Sequence, residues 1–136
     1  MNDTREVAQR YMNLLCAQKF AEAFDLLAPD VSYRIIGTTP LSKPMKGRDV
    51  VKSVLVSALA GFRKPLQLQF KELIVDGNRA VGLACGSGIG PTGLPYEQGD
   101  YAMVLRIGNG QVEEVVEFMD TVAVEVAVLG KKLLAA

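Results

Sequence analysis

The sequence predicts an α+β domain in which three helices occupy the first half and pack on a curved, mainly antiparallel sheet formed by the second. Two observations carry this. Apolar residues recur at helical spacing as far as Phe62, and from Leu66 onward they follow strand-like runs separated by turns rich in glycine, proline and asparagine. Helices first and strands afterwards is the segregated α+β pattern, with the helices on one face of the sheet. The 136 residues contain no internal repeat, low-complexity tract or Ser/Gly linker, so residues 1–136 are expected to share one core.

Each element has its own signal. Val7, Tyr11, Leu14 and Leu15 fall at i, i+4, i+7 and i+8, and Asp3 followed by Glu6 resembles a capping box, which predicts a first amphipathic helix. Phe20, Ala23, Phe24 and Leu27 repeat the spacing in a second helix that Pro29 is expected to stop. Residues 31–36 are rich in strand formers, and the next ten, with Gly37, Pro40, Pro44 and Gly47, read as a loop. Val50, Val51, Val54, Leu55, Ala58, Leu59 and Phe62 mark a third helix ending near Gly61 and Pro65. A four-strand meander follows: 66–75, 79–89, 96–107 and 111–120, with turns at Asp76-Gly77-Asn78, Gly90-Pro91-Thr92-Gly93 and Gly108-Asn109-Gly110. The tail from Val122 to Val128 alternates like a strand, yet Asp120 or Thr121 could cap a helix ending at Gly130, and a short helix is the expectation. Gly82, Gly86, Gly88, Gly90 and Gly99 stand in or beside the strands, where they permit bends or leave room for a ligand.

Composition narrows the chemistry. Fifteen Lys+Arg balance 15 Asp+Glu, which removes the electrostatic footprint of nucleic-acid or anionic-membrane binding. There is no histidine, so Ser-His-Asp and Cys-His nucleophiles, imidazole shuttles and the common zinc sites are excluded in their usual forms. Cys16 and Cys85 are distant and form no CxxC, so no metal and no disulfide framework is expected, in keeping with a reducing cytoplasm. No apolar run approaches a membrane span, and the first residues carry no secretory pattern, so a cytoplasmic protein without a membrane partner is expected. Any acid or base must be Asp, Glu, Tyr, Lys or Cys, working without a cofactor.

Glu117 is the most informative carboxylate. If the loop at 108–110 pairs Ile107 with Gln111, two-residue alternation puts Tyr101, Met103 and Leu105 on one face with Val115, Glu117 and Met119. Desolvation there would raise the acid toward the range useful for proton transfer. A register different by one residue would instead leave it an exposed strand carboxylate. The same face of the first strand would hold Ser32, Arg34 and Ile36, and an inward Arg34 would keep Glu117 ionised and favour ligand anchoring. Met103, Met119 and Phe62 are candidate apolar lining. Cys85 lies on a glycine-rich strand as a further lining residue, with no visible source of thiol activation.

Several strings resemble the nuclear transport factor 2-like superfamily over nearly the whole chain. Arg10-Tyr11-Met12-Asn13-Leu14-Leu15 followed by Phe20-Ala21-Glu22-Ala23-Phe24 is similar to the opening helices of ketosteroid isomerase-like and SnoaL-like polyketide cyclase-like proteins. Gly47-Arg48-Asp49-Val50-Val51 is similar to the start of their third helix, as in limonene epoxide hydrolase, and residues 105–112 with 116–121 to their closing hairpin. The resemblance implies a cone-shaped, cystatin-like α+β barrel with an internal pocket, and a homodimer through the sheet. It matches Tyr11 to a tyrosine that hydrogen-bonds a developing oxyanion, and Glu117 to one of two catalytic aspartates of the epoxide hydrolase. The isomerase's base falls near Arg34 or Ile35 and its second oxyanion acid at Met103, while the hydrolase's arginine and second aspartate fall at Leu83 and Cys85, so neither apparatus is complete.

Two functions follow as expectations. The first is a cofactor-independent isomerase-, cyclase- or epoxide hydrolase-like enzyme for a small, apolar, oxygenated molecule, with Glu117 moving a proton and Tyr11 or Tyr101 stabilising an enolate-like oxygen. The second is a non-catalytic domain that binds a small hydrophobic ligand or dimerises, in which Arg34 neutralises Glu117.

Overall fold

The computed structural model describes residues 3–136 and orders them as α1 (Asp3–Cys16), α2 (Phe20–Phe24), β1 (Leu27–Ile35), β2 (Met45–Lys46), α3 (Arg48–Ala60), β3 (Lys64–Asp76), β4 (Arg79–Ile89), β5 (Pro95–Gly108), β6 (Gln111–Phe118) and α4 (Thr121–Ala123). One six-stranded sheet runs β2-β1-β6-β5-β4-β3, antiparallel throughout except for the parallel pair β1 and β6. No helix among the described residues is long and apolar enough to cross a membrane.

The sheet bends because its ladders are interrupted. Lys71 is an extra residue on β3 between the pairs Phe70–Ala84 and Glu72–Leu83. On β5, Gly99 and Asp100 together face the single residue Cys85. Such bulges bend a strand and increase its local twist. Here they lie side by side, and Lys71 Nζ reaches across to the Gly99 carbonyl at 3.3 Å. The concave face closes on α1 and α3, whose Ala8, Tyr11, Met12, Leu15, Val51 and Leu55 are buried against Leu68, Met103, Leu105 and Val115. Removing a Leu or Met side chain of that kind from water contributes about 1.5–3 kcal/mol.

Two of the glycines in or beside the strands are consumed by this packing, whereas the Cβ position of Gly99 is open. A Cβ on Gly82 would lie 2.5 Å from Met12 Sδ, so the glycine lets α1 settle on β4. One on Gly90 would lie 2.0 Å from the Ala127 carbonyl oxygen, where the C-terminal segment crosses the sheet. These positions seat protein, not ligand.

Four local expectations are corrected. The second helix ends at Phe24 instead of reaching Leu27, and Pro29 lies inside β1. Between Leu27–Val112 and Ser32–Glu114 the β1–β6 ladder is irregular, so a proline there removes no ladder hydrogen bond. The loop before α3 contains a two-residue edge strand, β2, too short to leave a periodic trace. Asp3 is itself helical, and its carboxylate accepts from the Gly110 N–H at 3.2 Å, tying α1 to the last hairpin. In the tail, Asp120 accepts from the Val122 N–H at 3.0 Å and opens the short helix, but from Val124 to Val128 the helix widens to a π turn, closed by Leu129 N–H to Val124 C=O. The Ala127 carbonyl accepts instead from Thr92 Oγ1 at 2.8 Å.

Candidate active site

Glu117 owes its direction to a bulge. The last hairpin turns on Asn109-Gly110 with Gly108 opposite Gln111 and Ile107 opposite Val112, not Ile107 opposite Gln111 as the sequence suggested. Continued without a break, that ladder would set Glu117 against Ala102 on the convex face. Glu113 is an extra residue, however, and beyond it Arg106 pairs Glu114, Leu105 pairs Val115 and Met103 pairs Glu117. One inserted residue reverses the face of every side chain after it, so Glu117 turns into the concave side. The displaced Glu113 folds over Gly108 and meets Arg106 Nη1 at 2.7 Å.

The carboxyl opens on a cavity of about 90 Å³ between helices and sheet. Phe20 and Phe24 of α2, Ile35 of β1, Leu55 and Leu59 of α3, Phe62 just beyond that helix, Leu66 and Leu68 of β3, and Val124 and Val128 of the π turn contribute to its apolar wall. Tyr96, Tyr101 and Met103 of β5 with Met119 complete it, leaving one carboxyl and two phenols as its polar groups. Glu117 is half-buried only because the cavity touches it. Burial pushes its pKa up to about 7, against a smaller lowering from Tyr33, whose hydroxyl donates a hydrogen bond to Oε1. Among the described residues no cation lies within 4 Å of it.

Four tyrosines and a glutamine surround the acid. Tyr33 is buried, and burial, followed by the neighbouring Glu117 charge, holds its phenol well above the ordinary range. Tyr11 lies deeper, outside the cavity wall, and its hydroxyl has no hydrogen-bond partner. Burial, then Glu117, raises its pKa, and the Tyr33 hydroxyl offsets this in part without aligning as a hydrogen bond. On the other side, Tyr96 and Tyr101 hydroxyls are 2.8 Å apart. Gln98, only 1% exposed, fixes that pair: its Oε1 accepts from the Asp120 N–H at 2.8 Å, which turns its amide nitrogen to donate to the Asp120 carbonyl at 2.8 Å and to Tyr96 Oη at 3.0 Å. The Tyr96 oxygen that accepts from Gln98 keeps its own proton for one of two acceptors, the Tyr101 oxygen at 2.8 Å or Met119 Sδ at 3.9 Å, and either phenol can be the donor of the pair.

The sequence-predicted residues divide accordingly. Glu117, Tyr101, Met103, Met119 and Phe62 meet at the cavity. Arg34 does not: it is exposed on the convex side, because Val31, Tyr33 and Ile35 take the inward positions of β1, and it cannot neutralise Glu117. Cys85 also faces outward, its thiol 3.7 Å from Gln69 Oε1, since Ala84 and Gly86 point in. Tyr33 and Gln98 were missed. The alternation Val31-Tyr33-Ile35 was a usable signal for the first; a lone glutamine in a strand gave none for the second. Among the described residues no three His, Cys, Asp or Glu side chains cluster as a metal site requires.

A helix-lined cone with one desolvated acid facing phenols defines a small pocket-bearing α+β protein. The chain belongs to the SnoaL-like domain family, whose model matches residues 8–115. No curated protein matches it. Among solved structures it is similar to a nuclear transport factor 2-like protein of unknown function from Burkholderia pseudomallei, with TM-score 0.79, 18% identity and coverage of 94% of this chain and 98% of that one. It is similar too to a protein of unknown function with a cystatin-like fold from Xanthomonas campestris, with TM-score 0.76, 21% identity and coverage of 86% and 90%. TerC, crystallised with polyporic acid, gives TM-score 0.77 at 17% identity, covering 94% of this chain and 99% of that one. At these identities the likeness is one of fold.

Proposed function

We propose that the chain is a cofactor-independent acid–base enzyme for a compact, apolar, oxygenated molecule, in which Glu117 carries the proton and Tyr101 donates to the oxygen where charge develops. The observation that carries this is an unpaired carboxyl, with pKa near 7, opening on an apolar cavity. At that value the group takes and returns a proton at neutral pH with little loss in either direction. Tyr101, backed by Tyr96 and Gln98, is the matching donor; a preorganised hydrogen bond in a dry site stabilises an enolate-like oxygen better than water does. Tyr11, behind the acid, acts on it and does not touch substrate. The cavity volume suits a single ring better than a fused polycycle, which would displace the lining.

The test is a substrate screen with Glu117→Gln beside the parent. Loss of turnover with binding retained supports the reading. A substrate turned over equally by both proteins refutes it.

We propose further that two copies associate through the convex sheet face. Val81, Val104 and Val116 stand in register across β4, β5 and β6, beside Leu83, Ala102 and the 45%-exposed Phe118. A contiguous apolar strip of that kind favours association. Sedimentation should give a dimer for the parent and a monomer for Val104→Arg; a monomeric parent rejects the arrangement.

A further inference from the structure

The cavity wall contains rings, sulfurs, phenols and one carboxyl, and no basic side chain. The nearest elements repeat this. From α1 the group facing Glu117 is Tyr11, from β1 Tyr33, and from β5 Tyr96 and Tyr101; beyond β6 the Asp120 carboxylate, which caps Val122 N–H, adds a further negative charge near Tyr96. α2, α3, β3 and the π turn contribute only apolar side chains to the wall. The basic groups of neighbouring elements are engaged elsewhere: Lys52 with Asp25, Arg48 with the Leu27 carbonyl, and Arg34 on the opposite face of the sheet. Tyr33 donates to Oε1, and among the described residues nothing donates to the second carboxyl oxygen.

We infer that this cavity sorts ligands by charge, admitting uncharged molecules and protonated amines and turning away organic anions, with Glu117 as the selecting group. The inference deepens the functional reading above and rests on its placement of Glu117 at the cavity, but not on catalysis. An anion entering the wall finds no cation to replace its water, and beside an ionised Glu117 it meets a like charge at low dielectric. It enters only with a proton on Glu117. A protonated amine supplies the counter-charge that the protein withholds, and the wall includes the aromatic rings of Phe20, Phe24, Phe62, Tyr96 and Tyr101, a side-chain class whose π-systems attract a cation. It enters when Glu117 has lost its proton. An uncharged ligand of the same shape needs neither exchange. Binding of charged ligands is therefore coupled to one proton, with opposite signs for the two charges.

Benzylamine, benzyl alcohol and benzoate share one ring and differ in charge, and the two ionic probes hold their charge between pH 5.5 and 8.5. Titration of each by calorimetry into the parent protein at those two pH values should show benzylamine binding about 30-fold tighter at the higher pH, benzoate about 30-fold weaker, and the alcohol unchanged, as a single group titrating near 7 requires. Glu117→Gln should flatten both slopes and bring benzylamine below the level of the alcohol, because the ammonium then has no counter-charge to replace its water, while Glu117→Asp, which keeps the charge, should preserve slopes of the same sign. Benzoate bound as tightly as benzylamine at pH 8.5, slopes that survive in Glu117→Gln, or retention of none of the three probes would overturn the charge rule. Turnover by the parent and its loss in Glu117→Gln are read separately, so the catalytic reading stands or falls independently of these slopes.

Discussion

Replacing Glu117 by Gln should make the protein more stable at alkaline pH and leave it nearly unchanged in acid. Glutamine keeps the shape of the protonated acid and can still accept from Tyr33, but it cannot ionise. In the native state Glu117 is raised from the usual carboxylate value of 4.5 to about 7, so between those values the folded protein holds a proton that the unfolded chain has released. Folding is then favoured below 4.5, and that advantage is lost progressively as pH rises toward 7 and stays lost above it. A difference of about 2.5 units at 1.36 kcal/mol each amounts to about 3 kcal/mol, a large fraction of the 5–15 kcal/mol that holds a domain together. Urea unfolding of parent and variant, followed by circular dichroism at half-unit steps from pH 4 to 8, isolates this contribution, because every other titrating group is common to both chains. The two curves should coincide near pH 4 and separate to about 3 kcal/mol by pH 8, the variant above. Parallel curves over the whole range would refute the burial of an unpaired carboxyl, and with it the assignment of Glu117 as proton carrier.

Tyr33→Phe removes the hydrogen bond that favours the ionised acid, so the Glu117 titration followed by carbon-detected NMR should move up from about 7 by roughly a further half to one unit; a downward move would show that Tyr33 does not donate. Gln98→Leu leaves the Asp120 N–H and C=O and one Tyr96 acceptor site without partners, and should cost about 3 kcal/mol in denaturant unfolding, more than the volume change alone would. A loss under 1 kcal/mol would mean that the glutamine is dispensable for holding Tyr96. Gly90→Ala drives a methyl against the Ala127 carbonyl and should destabilise by about 2–3 kcal/mol while loosening the π turn that walls the cavity, read as faster amide exchange over residues 124–129; unaltered exchange would contradict the close approach.

Order and type of the main elements were legible because each long helix and strand has to bury one face, and that requirement is written as a period of three to four or of two. What escaped was whatever broke the period. Pro29 is a stop signal in a helix and harmless in an irregular strand, and only the β1–β6 pairing decides between them. Alternation alone leaves open whether Arg34 faces in or out; Tyr33 and Ile35, flanked by Val31, are the apolar set that the core demands, and they send Arg34 outward. Gln98 works through three hydrogen bonds across distant backbone, a relation with no local pattern.

Glu117 was placed on the inner side from a three-residue loop at 108–110, whereas the chain turns on two residues and inserts one more at Glu113. The two departures from that scheme together shift the register by two residues, an even number, and therefore leave the face unchanged. The compensation has a cause that β6 itself displays. Val112 and Val115 are both fully buried, yet they stand three residues apart, a spacing that no unbroken strand can put on one face. A bulge must fall between them, and once it does, Glu117, two residues beyond Val115, has to point the same way. Turning the acid out to water would mean turning Val115 out with it, at about 1.5–3 kcal/mol for a fully buried valine. The carboxyl is thus carried into its apolar surroundings by the burial of a neighbour, which is how a fold of ordinary stability comes to tolerate a desolvated acid at the wall of its cavity.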